Sequence, residues 1–87
     1  MTARPFRVRI TVRLDGGVND PQGNTVRDAL RSLGHTDVRD VRVGKVIELV
    51  VDATSAADAR GRAARMCREL LANPVIETFE TEVLERD

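Results

Sequence analysis

Hydrophobic and polar residues alternate strictly near the start of the chain. Residues 6–14 place apolar side chains on one face and three arginines and a threonine on the other. A period of two is typical of a strand with one buried face. Residues 76–84 alternate in the same way, with Phe79 and Val83 on one face. The pattern therefore predicts strands near both ends of a single domain, residues 1–87.

The period changes to that of a helix in two places. The first predicted helix begins at Asp20, which can cap free amides, and at Pro21, which fits the first helical position; Gly34 is placed to end it. The second begins at a capping box of Ser55 and Asp58 and stops at Asn73-Pro74. The apolar positions are Val26, Ala29, Leu30 and Leu33 in the first helix, and Ala59, Ala63, Met66, Cys67, Leu70 and Leu71 in the second.

Two valine-rich segments within residues 38–51 flank Gly44-Lys45. We interpret them as strand, tight turn and strand; one long strand with a bulge at Gly44 is the alternative. The resulting order is β-α-β-β-α-β. It predicts an α+β two-layer sandwich, an antiparallel sheet with two helices on one face, and ferredoxin-like topology is the first expectation.

Composition narrows the class of protein. The 87 residues carry 14 basic and 14 acidic side chains, so the formal net charge is zero, without the basic excess that nucleic-acid binders usually show. Phe6 and Phe79 are the two aromatic residues, and both lie in phase with an apolar face. An RNA-recognition sheet needs aromatic residues on its open face. We therefore expect no nucleic-acid partner.

The single cysteine, Cys67, fits a reducing cytoplasm. The N-terminal residues lead into the strand pattern rather than into an apolar signal segment, and the longest apolar runs are three residues, as in 49–51. These observations predict a cytoplasmic protein that does not enter a membrane.

The chain offers few groups for catalysis. His35 lies near Asp37 and Asp40, but no second histidine or thiol supports a metal site there, and a solvated loop histidine is the simpler interpretation. Cys67 falls on the apolar side of the second helix, which favours packing over nucleophilic chemistry. We predict no catalytic, cofactor-binding or metal-binding residue. Gly16-Gly17 after the first strand fits an ACT-like small-molecule sensor, the alternative function.

The segment 46–51 suggests self-association. Val46 and Val50 alternate with Ile47, Leu49 and Val51, so both faces of this strand are largely apolar. Such a strand needs cover on both sides. The helices can cover one side, and a second subunit is the simplest cover for the other. If the first and last strands are neighbours, the arginines of one face the glutamates of the other on the open side of the sheet.

Three segments together resemble the PurS family, the small subunit of phosphoribosylformylglycinamidine (FGAM) synthase. One is Asp20-Pro21-Gln22-Gly23 with the apolar positions that follow it. The second is the run 38–45 continuing to Glu48-Leu49, and the third is Cys67 with the run 70–77. The resemblance extends from about Phe6 to Val83.

This resemblance implies a role that the residues alone do not reveal. In this family the synthetase subunit PurL performs the ATP- and Mg-dependent fourth step of purine biosynthesis, and the glutaminase subunit PurQ releases ammonia. PurS bridges the two as a homodimer and supports ammonia transfer without catalysing a step. A tetramer formed from two such dimers is the alternative. The expected chain is therefore an assembly subunit that binds no cofactor itself.

The resemblance also suggests where partners bind. The candidate interface residues are polar or glycine positions of the motifs without an apolar core role: Asp20, Gln22, Gly23, Arg42, Gly44, Lys45 and Asn73. Asp20, Gly44 and Asn73 also have local explanations, as a cap, a turn and a helix stop. Gly23 has none, since a glycine inside a helix costs about 1 kcal/mol relative to alanine. It predicts a close approach of backbone or partner.

Overall fold

The computed structural model describes residues 2–84; Met1 and residues 85–87 of the predicted single domain lie outside the described residues. A π-helical turn at Cys67–Leu71 follows the second helix directly. The other elements, in chain order, are β1 (Arg4–Leu14), α1 (Pro21–Ser32), β2 (Lys45–Ala53), α2 (Ala56–Met66) and β3 (Glu77–Val83).

The three strands form one antiparallel sheet in the order β2-β1-β3. The long first strand lies in the centre, with Ile10 opposite Ile47 of β2 and opposite Thr81 of β3. The predicted α+β class and the antiparallel sheet are confirmed, and the first and last strands of the chain are neighbours in it.

The core lies between the sheet and α2. Val8, Ile10 and Val12 of β1 are at most 1% exposed. The helix contributes small residues, Ala59, Ala63 and Cys67, all fully buried, which let its backbone approach the sheet closely. Burying one large aliphatic side chain stabilises a fold by about 1.5–3 kcal/mol, so this layer holds the domain together.

The predicted boundaries of α1 are confirmed. Asp20 caps its first turn by accepting a hydrogen bond from the Gly23 amide at 2.9 Å. Gly34 ends the helix with φ at 107°. The amides of Gly34 and His35 donate to the carbonyls of Arg31 and Leu30, a Schellman arrangement that satisfies the last carbonyls of the helix.

The segment 38–44 differs from the prediction, because it forms neither a strand of the sheet nor one arm of a hairpin. It runs back along α1, where Arg31 Nε donates to the Val38 carbonyl at 2.8 Å and the Val43 amide donates to Asp20 Oδ2 at 2.7 Å. The described order is therefore β-α-β-α-β. The segment 38–44 bonds to α1 and its N-cap Asp20 rather than to β2. We call residues 19–44, which contain α1 and this segment, the arm.

The second helix also departs from its predicted apolar face. Leu70 was expected to pack with Cys67, yet it is 83% exposed. The cause is the π-helical turn, in which the Ala72 amide bonds to the Cys67 carbonyl at 3.0 Å. A turn with one extra residue rotates the positions that follow, so the spacing of 3.6 residues no longer holds beyond Cys67.

The molecule is long and thin, with principal extents of 56 × 27 × 14 Å. Among the described residues, α2 contacts all three strands, whereas α1 makes no comparable contact with the sheet. No helix in residues 2–84 has the length and hydropathy required to cross a bilayer.

Candidate functional site

A cleft of about 240 Å³ opens where the arm joins the sheet. The end of β1, the first turn of α1, the start of β2 and the first residue of β3 meet around it. Its lining residues are Val12, Leu14, Asp20, Gln22, Val43, Gly44, Lys45 and Glu77. Four of these, Asp20, Gln22, Gly44 and Lys45, are among the residues that the sequence indicated.

Asp20 is the structural centre of this cleft. The residue is only 4% exposed, and its two carboxylate oxygens accept from different parts of the arm. Oδ1 accepts from the Gly23 amide and Oδ2 from the Val43 amide, at 2.9 and 2.7 Å. One side chain therefore caps α1 and fastens the returning segment to it.

Hydrogen bonding determines the charge state of this group. The amides of Val43 and then Gly23 hold the pKa of Asp20 below its ordinary value, and the nearby Arg42 guanidinium lowers it further. Burial opposes these effects but is outweighed. The carboxylate therefore stays ionised across the neutral range.

Two glycines allow the backbones at the cleft to approach one another. A Cβ on Gly23 would overlap the carbonyl oxygen of Val41, which explains a glycine inside α1 by a close approach of backbone within the chain. A Cβ on Gly44 would lie 2.7 Å from the Val12 carbonyl oxygen. A side chain at either place would displace the arm from its position.

Arg42 and Asn73 make local contacts beside the cleft. Arg42 Nη2 donates to the Asp15 carbonyl at 2.9 Å, which ties the arm to the loop after β1. Asn73 Oδ1 accepts from the Val75 amide at 3.0 Å, and the Asn73 amide donates to Glu77 Oε1 at 2.6 Å. Neither residue lines the cleft itself; Arg42 holds the arm against the loop after β1, and Asn73 contacts Glu77, which does line it.

The accessible groups of the cleft are an amide, an ammonium and a carboxylate. Gln22 and Lys45 are exposed, and Glu77 is half-buried. Such a set can form directional hydrogen bonds and ion pairs with a polar segment of another molecule. The sequence did not indicate Glu77, because nothing in an alternating strand marks which end meets another element.

The open face of the sheet carries a ladder of ion pairs. Arg9 Nε lies 3.0 Å from Glu48 Oε2, and its Nη1 lies 3.6 Å from Glu82 Oε1. Arg13 pairs with Glu80. These pairs confirm that β1 arginines face β3 glutamates. Val46 and Val50 lie beside them, 62% and 49% exposed.

The most reactive side-chain types lie away from the cleft. Cys67 is fully buried in the core, and burial raises the pKa of its thiol, which keeps it protonated. His35 is exposed in the loop after α1, as predicted. Across residues 2–84, no group of three or more His, Cys, Asp or Glu side chains is arranged to hold a metal ion.

Comparison with known proteins agrees with this fold and these motifs. Residues 7–85 match the family model PurS, described as phosphoribosylformylglycinamidine (FGAM) synthase. The PurS subunit of phosphoribosylformylglycinamidine synthase from Bacillus subtilis (strain 168) is 42% identical over 80 residues, which cover 92% of this chain and 94% of the relative.

Solved structures of PurS chains have the same fold as this chain. The crystal structure of PurS from Methanocaldococcus jannaschii matches with a TM-score of 0.85 and 30% identity, over 94% of this chain and 99% of that one. A chain in the structure of PurLQS from Thermotoga maritima matches with a TM-score of 0.83 and 36% identity, over 92% and 98%. The match covers nearly the whole chain in sequence and in structure, and the protein thus belongs to the PurS family, the small subunit of FGAM synthase.

Proposed function

We propose that the chain is the non-catalytic assembly subunit of a FGAM synthase complex in the cytoplasm, where it bridges a glutaminase subunit, PurQ, and a synthetase subunit, PurL. The observation that carries the proposal is the match to a chain of the Thermotoga maritima PurLQS structure over 98% of that chain. In such a complex ATP and Mg serve the synthetase, and ammonia passes from the glutaminase with this chain supporting the transfer.

The distribution of polar groups supports a binding role. Gln22 and Lys45 lie on the rim of the cleft with accessible side chains. Asp20, Gly23 and Gly44 place the backbone that carries them. The cleft is therefore the proposed contact with another subunit. Arg42 and Asn73 contribute from outside its lining, by holding the arm and the Glu77 carboxylate.

The chain also presents apolar surface that a second copy can cover. Val46 and Val50 on the open face and Leu33 on the arm are 62%, 49% and 77% exposed. Exposed apolar surface on a small domain marks sites of association. We propose that the chain acts as a homodimer, with a tetramer as the larger alternative.

Reconstitution tests the role in the complex. Purified PurL and PurQ are assayed with glutamine and with ammonia, with and without this chain. We expect glutamine-dependent FGAM formation to need the chain and ammonia-dependent formation to proceed without it. Equal glutamine-dependent rates with and without the chain would refute the proposal.

A pair of variants tests the cleft. Lys45→Ala removes a rim charge, and Arg60→Ala removes an exposed charge from α2. Truncating an important interface residue costs more than about 1 kcal/mol, and 1.4 kcal/mol is tenfold in affinity. We expect Lys45→Ala to raise the concentration of chain needed for half-maximal activity by about tenfold, with little change for Arg60→Ala. The same value for both variants would place the contact elsewhere.

A further inference from the structure

The outer edge of β3 is a row of unpaired backbone groups. β3 pairs with β1 on one side, and no strand in residues 2–84 lies on its other side. The Leu84 amide donates to the Arg7 carbonyl at 2.8 Å, and at the other end of the strand the Asp15 amide donates to the Ile76 carbonyl. Bonded positions alternate along an antiparallel pair. The even-numbered residues of β3 therefore bond to β1, and the odd-numbered residues point their amides and carbonyls outward.

Three residues carry these outward groups. Phe79, Thr81 and Val83 each present an amide and a carbonyl at the edge, and no other described element bonds to them. Native proteins protect such edges with proline, bulges, very short strands or charged side chains. β3 spans seven residues in continuous register with β1 and contains no proline. Charge is therefore the protection that remains at this edge, and charge also selects which strand can be added.

The charge of β3 is negative. Residues 77–83 contain three glutamates and no basic residue. Glu80 and Glu82 lie on the open face of the sheet, with side chains that are 70% and 67% exposed. On neighbouring strands, opposite charges stabilise a sheet and like charges destabilise it. Two copies of β3 side by side would bring glutamates together, whereas a segment with Lys or Arg at alternate positions is favoured here.

The arginines of β1 leave these carboxylates available. Arg9 is shared by two carboxylates, and its Nη1 lies 3.6 Å from Glu82 Oε1. Arg13 pairs with Glu80 where both side chains are more than half exposed. Exposed ion pairs of this kind contribute little to stability. The glutamates of β3 can therefore accept a further cationic group.

A hollow of about 350 Å³ on the open face gives such a group space. Its lining residues are Arg9, Thr11, Glu80, Thr81 and Glu82. Neighbouring strands lie about 4.8 Å apart, so a Lys or Arg side chain on a strand beside β3 reaches the hollow. The carboxylates there accept hydrogen bonds from an ammonium or a guanidinium group.

The opposite face of β3 suits apolar residues. Phe79 and Val83 pack against the core but are only partly buried, and Thr81 between them is also partly exposed. Successive side chains of a strand point to opposite faces of its sheet. Apolar residues between the basic ones would therefore extend the core beside Phe79 and Val83. The edge fits a segment in which basic and apolar residues alternate.

We infer that β3 binds an extended segment of a partner subunit as an additional strand, with Lys or Arg beside its glutamates and apolar residues beside Phe79 and Val83. The outward backbone groups supply affinity, and the alternate side chains supply specificity. The edge begins at Glu77, which also lines the cleft, so one partner surface can contact both. This inference rests on the proposed function, because PurL or PurQ supplies the segment.

Hydrogen exchange at single residues tests the added strand. The free chain and its complex with PurL and PurQ are exchanged in deuterated water, and electron-transfer fragmentation gives the rate of each amide. We expect the amides of Phe79, Thr81 and Val83 to exchange about tenfold more slowly, or slower still, in the complex. The even-numbered amides of β3, which bond to β1 in both states, are the internal control.

The other outcomes of this experiment are distinct. Unchanged rates at the three outward amides, in a complex with full glutamine-dependent activity, would overturn the inference and leave the bridging role standing. Slow exchange of these amides already in the free chain would show that a second copy occupies the edge, which also overturns it. Absence of both binding and glutamine-dependent activity would overturn the proposed function as well.

A charge reversal tests the selection of a basic segment. Glu80→Lys removes the ion pair with Arg13 and reverses a charge at the edge. Its matched control, Glu69→Lys, removes the exposed ion pair with Arg65 on the far side of the domain's core helix. We expect Glu80→Lys to raise the concentration of chain needed for half-maximal glutamine-dependent activity by about tenfold, and Glu69→Lys to leave it within about twofold. Equal values for two variants that keep the circular dichroism of the wild type would overturn the basic segment.

Discussion

The two halves of this molecule are held together by different forces. Between the sheet and α2, Val8, Ile10 and Ala63 are fully buried, and apolar area removed from water supplies the stability. In the arm, the residues that are buried are Asp20 and Gly23, and the main contacts within it are hydrogen bonds from a carboxylate to two amides. The first half is thus held by apolar packing, whereas the second is held in position by hydrogen bonds.

This difference has a physical reason. Apolar packing is strong but needs large complementary surfaces, and 87 residues provide only a thin core. A buried carboxylate with two amide donors uses few residues and fixes direction, because hydrogen bonds to a charged group contribute about 1.5–3 kcal/mol and depend on geometry. These bonds fix the direction of the arm while the apolar side chains of Val26 and Leu33 stay accessible.

The largest effect is expected in the core. Ile10→Ala removes a fully buried side chain at the centre of the sheet, and such truncations cost about 2–5 kcal/mol. Urea unfolding at fixed protein concentration measures the change in the free energy of unfolding. Thr11→Ala, on the opposite face of the same strand, should change it by about 0.5 kcal/mol. Equal losses at the two positions would mean that the sheet is buried on both faces.

An intermediate effect is expected where the arm is fastened. In Gly23→Ala the added methyl group meets the Val41 carbonyl, which must move and take Val43 with it. Overpacking of this kind costs about 1–3 kcal/mol. Hydrogen exchange should show the Val43 amide exchanging about tenfold faster or more, since 1.4 kcal/mol is a factor of ten, with amides of α2 unchanged.

Gly61→Ala is the matched control for this change. Gly61 also lies inside a helix, but a Cβ there has no atom within 4 Å. We expect Gly61→Ala to raise the free energy of unfolding by about 0.4–1 kcal/mol. If Gly23→Ala also stabilises the chain and leaves the Val43 amide protected, the close approach does not constrain the arm. Glutamine-dependent activity in the reconstituted complex then shows whether assembly suffers more than folding.

The contrast also explains what the sequence predicted well. The alternation of residues 6–14 and the capping at Asp20 and Ser55 are local patterns with a single structural solution, and the structure has strands and helices there. The core residues of β1 follow from the same period. These predictions needed no knowledge of what lies across the molecule.

The features that the sequence did not predict depend on contacts between residues far apart along the chain. The second oxygen of Asp20 bonds to an amide 23 positions away, and nothing in the helix pattern identifies that partner. The segment 38–44 has a strand-like composition, but pairing needs a neighbour, which the single chain does not place beside it. Leu70 was assigned to the core because a helical period does not foresee a π turn. Of the cleft, the polar motif residues were predictable, whereas Glu77 was not.

An effect of the same order is expected from the charge of Asp20. Asp20→Asn keeps one accepting oxygen but turns its amide group toward a backbone N–H, so one of the two bonds is lost. We expect a lower melting temperature at neutral pH, with a loss comparable to that for Gly23→Ala. Asp28→Asn, an exposed carboxylate on the same helix, is the control and should change the melting temperature little.

The pH dependence distinguishes the ionised carboxylate from a merely polar contact. Hydrogen bonds from Val43 and Gly23 hold the pKa of Asp20 below its ordinary value, so its stabilising effect is complete above the unfolded pKa of about 3.9 and is lost as the pH falls through the folded pKa. Arg42 adds to this lowering, and Lys45 and Glu77 line the same cleft. Asp58 also has a lowered pKa, from hydrogen bonds with Thr54 and Arg62. Its titration changes the stability of wild type and variant equally, so it cancels in the difference between them.

The difference in melting temperature between wild type and Asp20→Asn should therefore be constant from pH 7 to about pH 5 and shrink below about pH 4. A difference that stays the same at pH 3 would show that the arm is fastened by shape rather than by charge.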